Sequence, residues 1–378
     1  MGPVVTCNED LRLLAKCRAP RAIFEYVDRG SYDEITIEAN REALRRIRLR
    51  QRVMIDVSGR STASTMLGKP VTMPVALAPT GLTGLMHANG EMLAAQAAAE
   101  FGVPFALSTM SILSIEQVRE ATREPFWFQL YMMRDRGFVA ELIQRAVAAE
   151  CSALILTADL QVQGQRHRDL KNGLTVPPKL TLANLLDVTL KPRWALGMLG
   201  AKSRSFGNLA GYAPTGRGLA TLSQWIAGQF DASLSWTDVE WVRTHWPGKL
   251  IVKGILDPED ARHAVRAGAD AIVVSNHGGR QLDGAPPAID ALPDITDAAG
   301  GDTEILFDSG IRSGQDVLKA LALGAHGTMI GKAFLYGLGA MGKTGVTRAL
   351  ELIRNELDVS MALTGVNRLG DVDNDVLW

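Results

Sequence analysis

His277 and Arg280 lie three residues apart around Gly278 and Gly279, within AIVVSNHGGRQLDG, the stretch from Ala271 to Gly284. It opens with a β-branched apolar run that reads as a buried strand, then breaks into polar residues and two glycines. An imidazole with an ordinary pKa of about 6.5 accepts a proton at working pH, whereas a guanidinium is a fixed cation that grips a carboxylate bidentately. Delivered together by the end of one strand, they suit one small anion such as a hydroxy acid, with its carboxylate on Arg280 and its proton going to His277. Asp159, in LTADL, sits at another strand end and can hold the imidazole in one tautomer; a helix cap or structural ion pair is its blander role.

These residues need a frame that brings distant strand ends together. After Pro74 eight short apolar runs alternate with helical segments: 75–78, 104–107, 127–130, 153–156, 250–252, 271–274, 305–307 and 328–330. Alternation implies a parallel sheet, and eight repeats imply an α/β fold closed as a (β/α)8 TIM barrel. Polar residues follow every run: Thr80, Ser108, Gln129 and Tyr131, Thr157 and Asp159, Lys253, Ser275 and His277, Asp308, and Lys332. Such a barrel carries its active site at these C-terminal ends, and the turns DSGIRSG and IGKA after its last two strands occupy its usual phosphate site. A doubly wound sheet also alternates, but the first strand here lacks the Gly-rich turn that fold uses.

One domain of 378 residues follows, with a helical N-terminal section at 1–73, the barrel at 74–354 and a tail at 355–378. The helical spacing from Cys7 to Asp28 predicts one helix near the start. The longest departure from the rhythm is an insert at about 160–249, after the barrel's fourth strand. Within 179–208 it carries Lys179, Lys191, Arg193, Lys202 and Arg204 against the single acid Asp187, interleaved with Leu185, Leu186, Val188, Leu190, Trp194, Leu196, Met198 and Leu199. That mixture suits an anionic membrane surface; a helical lid packed on the barrel is the alternative.

SNHGGRQLDG, DSGIRSG, IGKAFLYGL and FEYVDRGSYDEIT occur in an order that resembles the FMN-dependent L-2-hydroxy acid dehydrogenases and oxidases: glycolate oxidase, flavin-type lactate dehydrogenases and mandelate dehydrogenase. The likeness covers nearly the whole chain. It implies FMN and oxidation of an L-2-hydroxy acid of the lactate or mandelate type to the 2-oxo acid. Electrons would pass to a quinone or cytochrome; a soluble oxidase that makes peroxide from O2 is the rival. By resemblance Tyr26 binds the substrate carboxylate, although a lone tyrosine reads as packing. Arg166 is the second substrate arginine, with Arg168 as a competing register, and Tyr131 meets the substrate hydroxyl. His277 takes either the hydroxyl proton or the α-proton, two alternatives that remain open.

The remaining positions suit the flavin: Pro79, Thr80 and Gly81 along its ring, Ser108, Gln129 and Thr157 at its polar edge, and Lys253 beside N1, with Ser275 touching flavin or supporting Lys253. Asp308 and Ser309 would meet the ribityl chain, and Gly310, Arg312, Gly331 and Lys332 the phosphate. The family generally has arginine where Lys332 stands, and a point charge holds phosphate less firmly than a fork. Gly81, often alanine in the oxidases, leans toward a dehydrogenase, and Met110 leaves room for a side chain larger than hydrogen. Membrane-associated members carry their contact segment at the place of the insert, and a homotetramer is the expected assembly.

Composition sets outer bounds. A net charge of −1 and pI near 6.6 give no general attraction to nucleic acid. Cys7, Cys17 and Cys151 show no metal-ligand spacing and, being odd in number, no disulfide framework, which suits reduced thiols in the cytoplasm. The start of the chain lacks the apolar segment of a signal peptide, and no stretch reaches the roughly 18 apolar residues of a spanning helix. The segment 337–344, GLGAMGKT, fits the P-loop pattern but stands well past the last strand instead of joining a strand to a helix; its glycines are expected to interrupt the last helical region.

Overall fold

A β-strand of alternating faces can serve two cores at once, and the eight apolar runs do so here. The computed structural model describes residues 4–173, 181–203, 205–209, 212 and 228–378. Three helices, Asn8–Arg18, Arg21–Asp28 and Ile35–Arg46, precede an antiparallel hairpin of β1 (Ser64–Met66) and β2 (Lys69–Val71). The barrel strands follow: β3 (Val75–Leu77), β4 (Ala106–Ser108), β5 (Trp127–Leu130), β6 (Ala153–Thr157), β7 (Lys249–Ile255), β8 (Ala271–Val274), β9 (Glu304–Phe307) and β10 (Gly327–Ile330). Each is parallel to its neighbour, and β10 returns to β3 with Ile330 opposite Leu77. A parallel bridge from Leu77 to Phe105, with Leu77 N donating to Pro104 O at 2.8 Å, closes the ring between β3 and β4. Every expected strand is present, its ends shifted by a few residues; β7 is longer because its pairing with β8 resumes at Ile255 beyond a bulge.

The pleat decides what the barrel offers at its top. Trp127, Ile155, Ile251, Val273, Leu306 and Met329 point inward and form the interior core. Side chains return to one face every second residue, so the next inward positions are Gln129, Thr157, Lys253, Ser275, Asp308 and Gly331. The functional layer is the interior series continued by one step, with polar residues in place of apolar ones. Outward residues such as Phe128, Leu154, Val252 and Phe307 pack with the helices in the larger core. The hairpin plugs the opposite end: Met66, Leu67 and Val71 join the interior core, and Leu67 N donates to Glu304 Oε2 at 2.9 Å.

Two local features differ from the sequence expectations, and a third agrees with them. The single helix expected over Cys7–Asp28 is two, because Ala19 before Pro20 is extended (φ −84°, ψ 151°), the conformation a following proline imposes. The tail is pinned down: the last helix runs over Lys343–Thr364, across the expected boundary, and Trp378 N donates to Arg48 O at 3.0 Å. In 337–344 the helix Lys332–Met341 meets Lys343–Thr364 at Gly342, and a Cβ at Gly337 would collide with the Gly345 carbonyl. These glycines interrupt the helical region as expected and let two backbones touch.

The insert carries helices at His167–Lys171, Leu182–Thr189, Pro192–Leu199 and Trp236–His245, the last leading into β7, joined by irregular segments; Lys179 and Arg204 lie outside the described residues. The second and third of these helices bury no residue. Polar anchors hold them: Trp194 Nε1 donates to Leu85 O at 2.8 Å, Lys191 Nζ to Cys17 O at 2.7 Å, and Lys202 N to Asn89 Oδ1 at 2.9 Å. Their leucines face out, from 51% exposed at Leu185 to 81% at Leu182. Among the described residues no helix is long and apolar enough to cross a membrane.

Candidate active site

A cavity of about 340 Å3 opens at the C-terminal ends of the strands. His277 enters it from the loop after β8, where it is itself left-handed (φ +59°), as are Gly278 (+66°) and Gly279 (+71°). Its Nδ1 lies 2.9 Å from Asp159 Oδ1, and its backbone N donates to Ser275 Oγ at 3.0 Å. Nε2 makes no hydrogen bond among the described residues and is left to the cavity that His277 lines. Burial pushes the Asp159 carboxyl up, but the adjacent His277 and the nearby Lys253 outweigh it and hold it below the usual range. Asp159 depends on a glycine across the way: a Cβ at Gly254 (φ +104°) would stand 2.6 Å from its Cγ.

Facing this pair are two half-buried arginines. Arg280 Nη1 donates to the backbone carbonyls of Tyr26 and Arg29, and its guanidinium lies 4.9 Å from the Tyr26 ring centre. Burial, reinforced by Arg166, brings its pKa down to about 10, still a cation at neutral pH. Arg166 sits 5.8 Å from the same ring with its Nε buried and unpartnered, while Arg168 is exposed. Of the two, Arg166 is the one that lines the cavity. Tyr131 packs edge-on against Phe230 with centroids 5.9 Å apart, and burial, with Asp159 and Tyr26 adding to it, raises its phenol so that it stays a donor.

Along the cavity floor Ser108 Oγ donates to Gln129 Oε1 at 2.9 Å, and Gln129 Nε2 to Thr157 Oγ1 at 3.0 Å. Lys253 Nζ donates to Ser275 Oγ at 2.7 Å and pairs with Asp308 Oδ2 at 2.9 Å. Ser108 and Ser275, 2% and 0% exposed, stand behind the wall as supports. Pro79, Thr80 and Gly81 line one side, and a Cβ at Gly81 would come within 3.2 Å of Met110 Cβ. At the far end Gly310 (φ +114°) and Arg312 meet Gly331 and Lys332, where Arg312 lies 4.9 Å from the Tyr336 ring centre. Ser309 Oγ donates to Asp308 Oδ1 and accepts from the backbone N of Asn276 and of Gly278.

That far end fits a phosphate. Lys332 donates to Asp28 O at 3.0 Å, and burial beside Arg312 and Arg280 drives its pKa well down. Arg41, absent from the sequence expectations, adds another guanidinium whose pKa is lowered by burial and by Arg312. Half-buried basic side chains clustered at the head of the helix Lys332–Met341 call for a multiply charged anion, as the FMN phosphate would be. Among the described residues no cluster of His, Cys, Asp and Glu could hold a metal ion.

Sequence reasoning also passed over Asp169, Leu160, Phe206 and Phe230. Asp169 Oδ2 lies 3.6 Å from Arg166 Nη1; burial raises its carboxyl, while Arg280 and Arg166 oppose that. The spacing of Arg166 and Asp169 within one helical turn was its only signal. Leu160, Phe206 and Phe230 line the cavity from loops whose sequence carries no periodicity.

A closed α/β barrel whose top carries a His–Asp pair, two arginines lining the same cavity and a cluster of cations at its far end has the make-up of an enzyme for small anions that uses a phosphorylated cofactor. Comparison with known proteins agrees. The FMN-dependent dehydrogenase family model matches residues 15–378. An L-lactate dehydrogenase of a Caulobacter species is 47% identical over 376 residues, covering 99% of this chain and 98% of that one. The L-lactate dehydrogenase of Acinetobacter baylyi is 46% identical, covering 99% and 97%. Among solved structures, the monotopic membrane protein (S)-mandelate dehydrogenase superposes with a TM-score of 0.94 at 36% identity over 100% of both chains. Mandelate oxidase bound to (S)-4-hydroxymandelic acid gives 0.85 at 36% identity, over 99% and 98%. The chain belongs to the FMN-dependent dehydrogenases. It is an oxidoreductase that uses FMN to oxidise an L-2-hydroxy acid.

Proposed function

We propose that this enzyme oxidises L-lactate to pyruvate and hands the electrons to a quinone or cytochrome, working as a peripheral protein on the cytoplasmic face of the inner membrane, as a homotetramer. The observation that carries the chemistry is the His277–Asp159 pair at 2.9 Å, directed into the cavity that Arg280 and Arg166 also line. Lactate is favoured over mandelate because the L-lactate dehydrogenases stand at 46–47% identity and the mandelate enzymes at 36%.

Arg280 and Arg166 bind the substrate carboxylate, with the Tyr26 phenol beside it. Tyr131, a phenol at every working pH, donates to the substrate oxygen. His277 receives a proton at Nε2, and Asp159, ionised and fixed on Nδ1, holds the ring in position and stabilises the imidazolium that forms. Phe206, Phe230 and Leu160 shed water from the reacting end. FMN, bound along Pro79–Gly81, Gln129, Thr157, Lys253 and Asp308 with its phosphate at Gly310, Arg312, Gly331 and Lys332, supplies the two-electron acceptor. Lys253 places a positive charge where electron density then gathers.

The test is the visible spectrum of the purified protein during anaerobic addition of L-lactate or L-mandelate, followed by air. Bleaching by L-lactate with slow recovery in air is expected. Faster bleaching by L-mandelate would reassign the substrate, and rapid recovery with peroxide would make the protein an oxidase.

A further inference from the structure

Three consecutive left-handed residues, His277, Gly278 and Gly279, carry the imidazole into the cavity, and left-handed backbone is unfavourable for a non-glycine residue such as His277. Something must hold that loop, and the holder lies far away in the chain. Asn40, on the helix Ile35–Arg46, faces Asn276 in a reciprocal amide pair: Asn40 Nδ2 donates to Asn276 Oδ1 at 2.8 Å, and Asn276 Nδ2 donates to Asn40 Oδ1 at 2.7 Å. Both side chains are buried, at 1% and 5% exposure. Asn276 Oδ1 also accepts Gly279 N at 3.1 Å, which spans the three left-handed residues from one side to the other. Asn40 Oδ1 also accepts Ala288 N at 3.1 Å, so one amide ties both ends of the loop to the N-terminal helix.

The same helix and the turn that precedes it close over the loop elsewhere. Ser31 N donates to Gly279 O at 3.0 Å, and a Cβ at Gly279 would stand 2.6 Å from Ile37 N. From this geometry we infer that Asn40 is a positioning residue for His277, setting the imidazole against Asp159 through Asn276. Without Asn40 the Asn276 amide keeps Pro286 O and Gly279 N, both in its own loop, as partners, but the loop loses its tie to the helix, so it relaxes toward right-handed backbone and carries the imidazole off line. Small displacements of a proton acceptor slow a reaction far more than they weaken binding. The inference rests on His277 being the base.

Asn40→Ala and Asn40→Asp test it in the full-length, FMN-loaded protein. The aspartate keeps the size and the acceptor for Ala288 N and Asn276 Nδ2 but sets oxygen against Asn276 Oδ1, so it breaks one of the two bonds of the pair and replaces it with a repulsion, without opening a cavity. Anaerobic flavin reduction by L-lactate should slow roughly 10- to 100-fold in both, while the substrate concentration for half-maximal rate, the flavin spectrum and the FMN content stay as in the parent. Reduction at the parental rate, or slowing only in proportion to lost FMN, overturns the inference. His277→Gln, measured alongside, separates the two readings. If it reduces flavin nearly as fast as the parent, His277 is not the base; if it is inactive while the folded Asn40 variants match the parent, the base stands and the role of Asn40 falls.

Discussion

Arg280 shows how much of a binding residue's work is done before substrate arrives. Its Nη1 is committed to the carbonyls of Tyr26 and Arg29, and its plane lies over the Tyr26 ring, so only the remaining edge of the guanidinium is free for a carboxylate. A lysine cannot divide itself in this way, because one ammonium would have to choose between two carbonyls and the substrate. We expect Arg280→Lys to lower kcat/KM for L-lactate roughly 100-fold, the loss of a charge-assisted bidentate contact, with FMN retained; an unchanged kcat/KM would remove Arg280 from the carboxylate site. His277 and Arg280 were legible in the sequence because chemistry at a strand's end is advertised by an apolar run breaking into polar residues and glycines. Asp169, Arg41 and Asn40 were not, because each acts through a partner distant in sequence or through a burial that only the folded chain creates.

Among the elements, the strands were the most legible, since runs of apolar residues at eight places admit few other arrangements, and the period of two carries the interior series directly into the functional layer. The connections were less so. Pro20 splits the first helix through its effect on Ala19, and the loops after β3 and β4 are joined by a residue outside both. Glu91, at the start of the helix Gly90–Phe101, is wholly buried, and its Oε1 accepts Gly84 N and Ile112 N at 2.9 Å each. This ties the turn carrying Gly81 to the turn carrying Met110. Burial raises its pKa against the backbone donors of Ile112, Glu91 itself and Gly84, with no charged side chain among the causes. A folded state that holds the proton more tightly than the unfolded one loses stability as pH rises above the unfolded value of about 4.5. Glu91→Gln keeps an acceptor for both backbone donors without titrating, so its Tm relative to the parent should rise by about 2 °C or more between pH 5 and pH 8. A Tm difference that is constant across this range would show that Glu91 is not protonated in the fold.

At the scale of the whole molecule, the net charge of −1 offers no general attraction to an anionic membrane, so any contact has to be local. The insert offers a surface suited to one: Leu182, Leu185, Leu186, Leu190, Leu196 and Leu199 are all more than half exposed, beside Lys191, Arg193 and Lys202. A lid would turn such residues inward; here the polar anchors at Leu85, Cys17 and Asn89 take the inner side and the leucines face out. Each partly buried leucine contributes about 1–2 kcal/mol in an interface, and each nearby cation about 1 kcal/mol on an anionic surface. Leu186→Asp combined with Leu190→Asp should therefore weaken sedimentation with anionic phospholipid vesicles roughly 100-fold or more. Turnover with a soluble dye acceptor should stay unchanged, because neither leucine lines the cavity. Equal sedimentation of parent and variant would return these helices to a role within the protein's own assembly, and the acceptor would then have to be sought in solution.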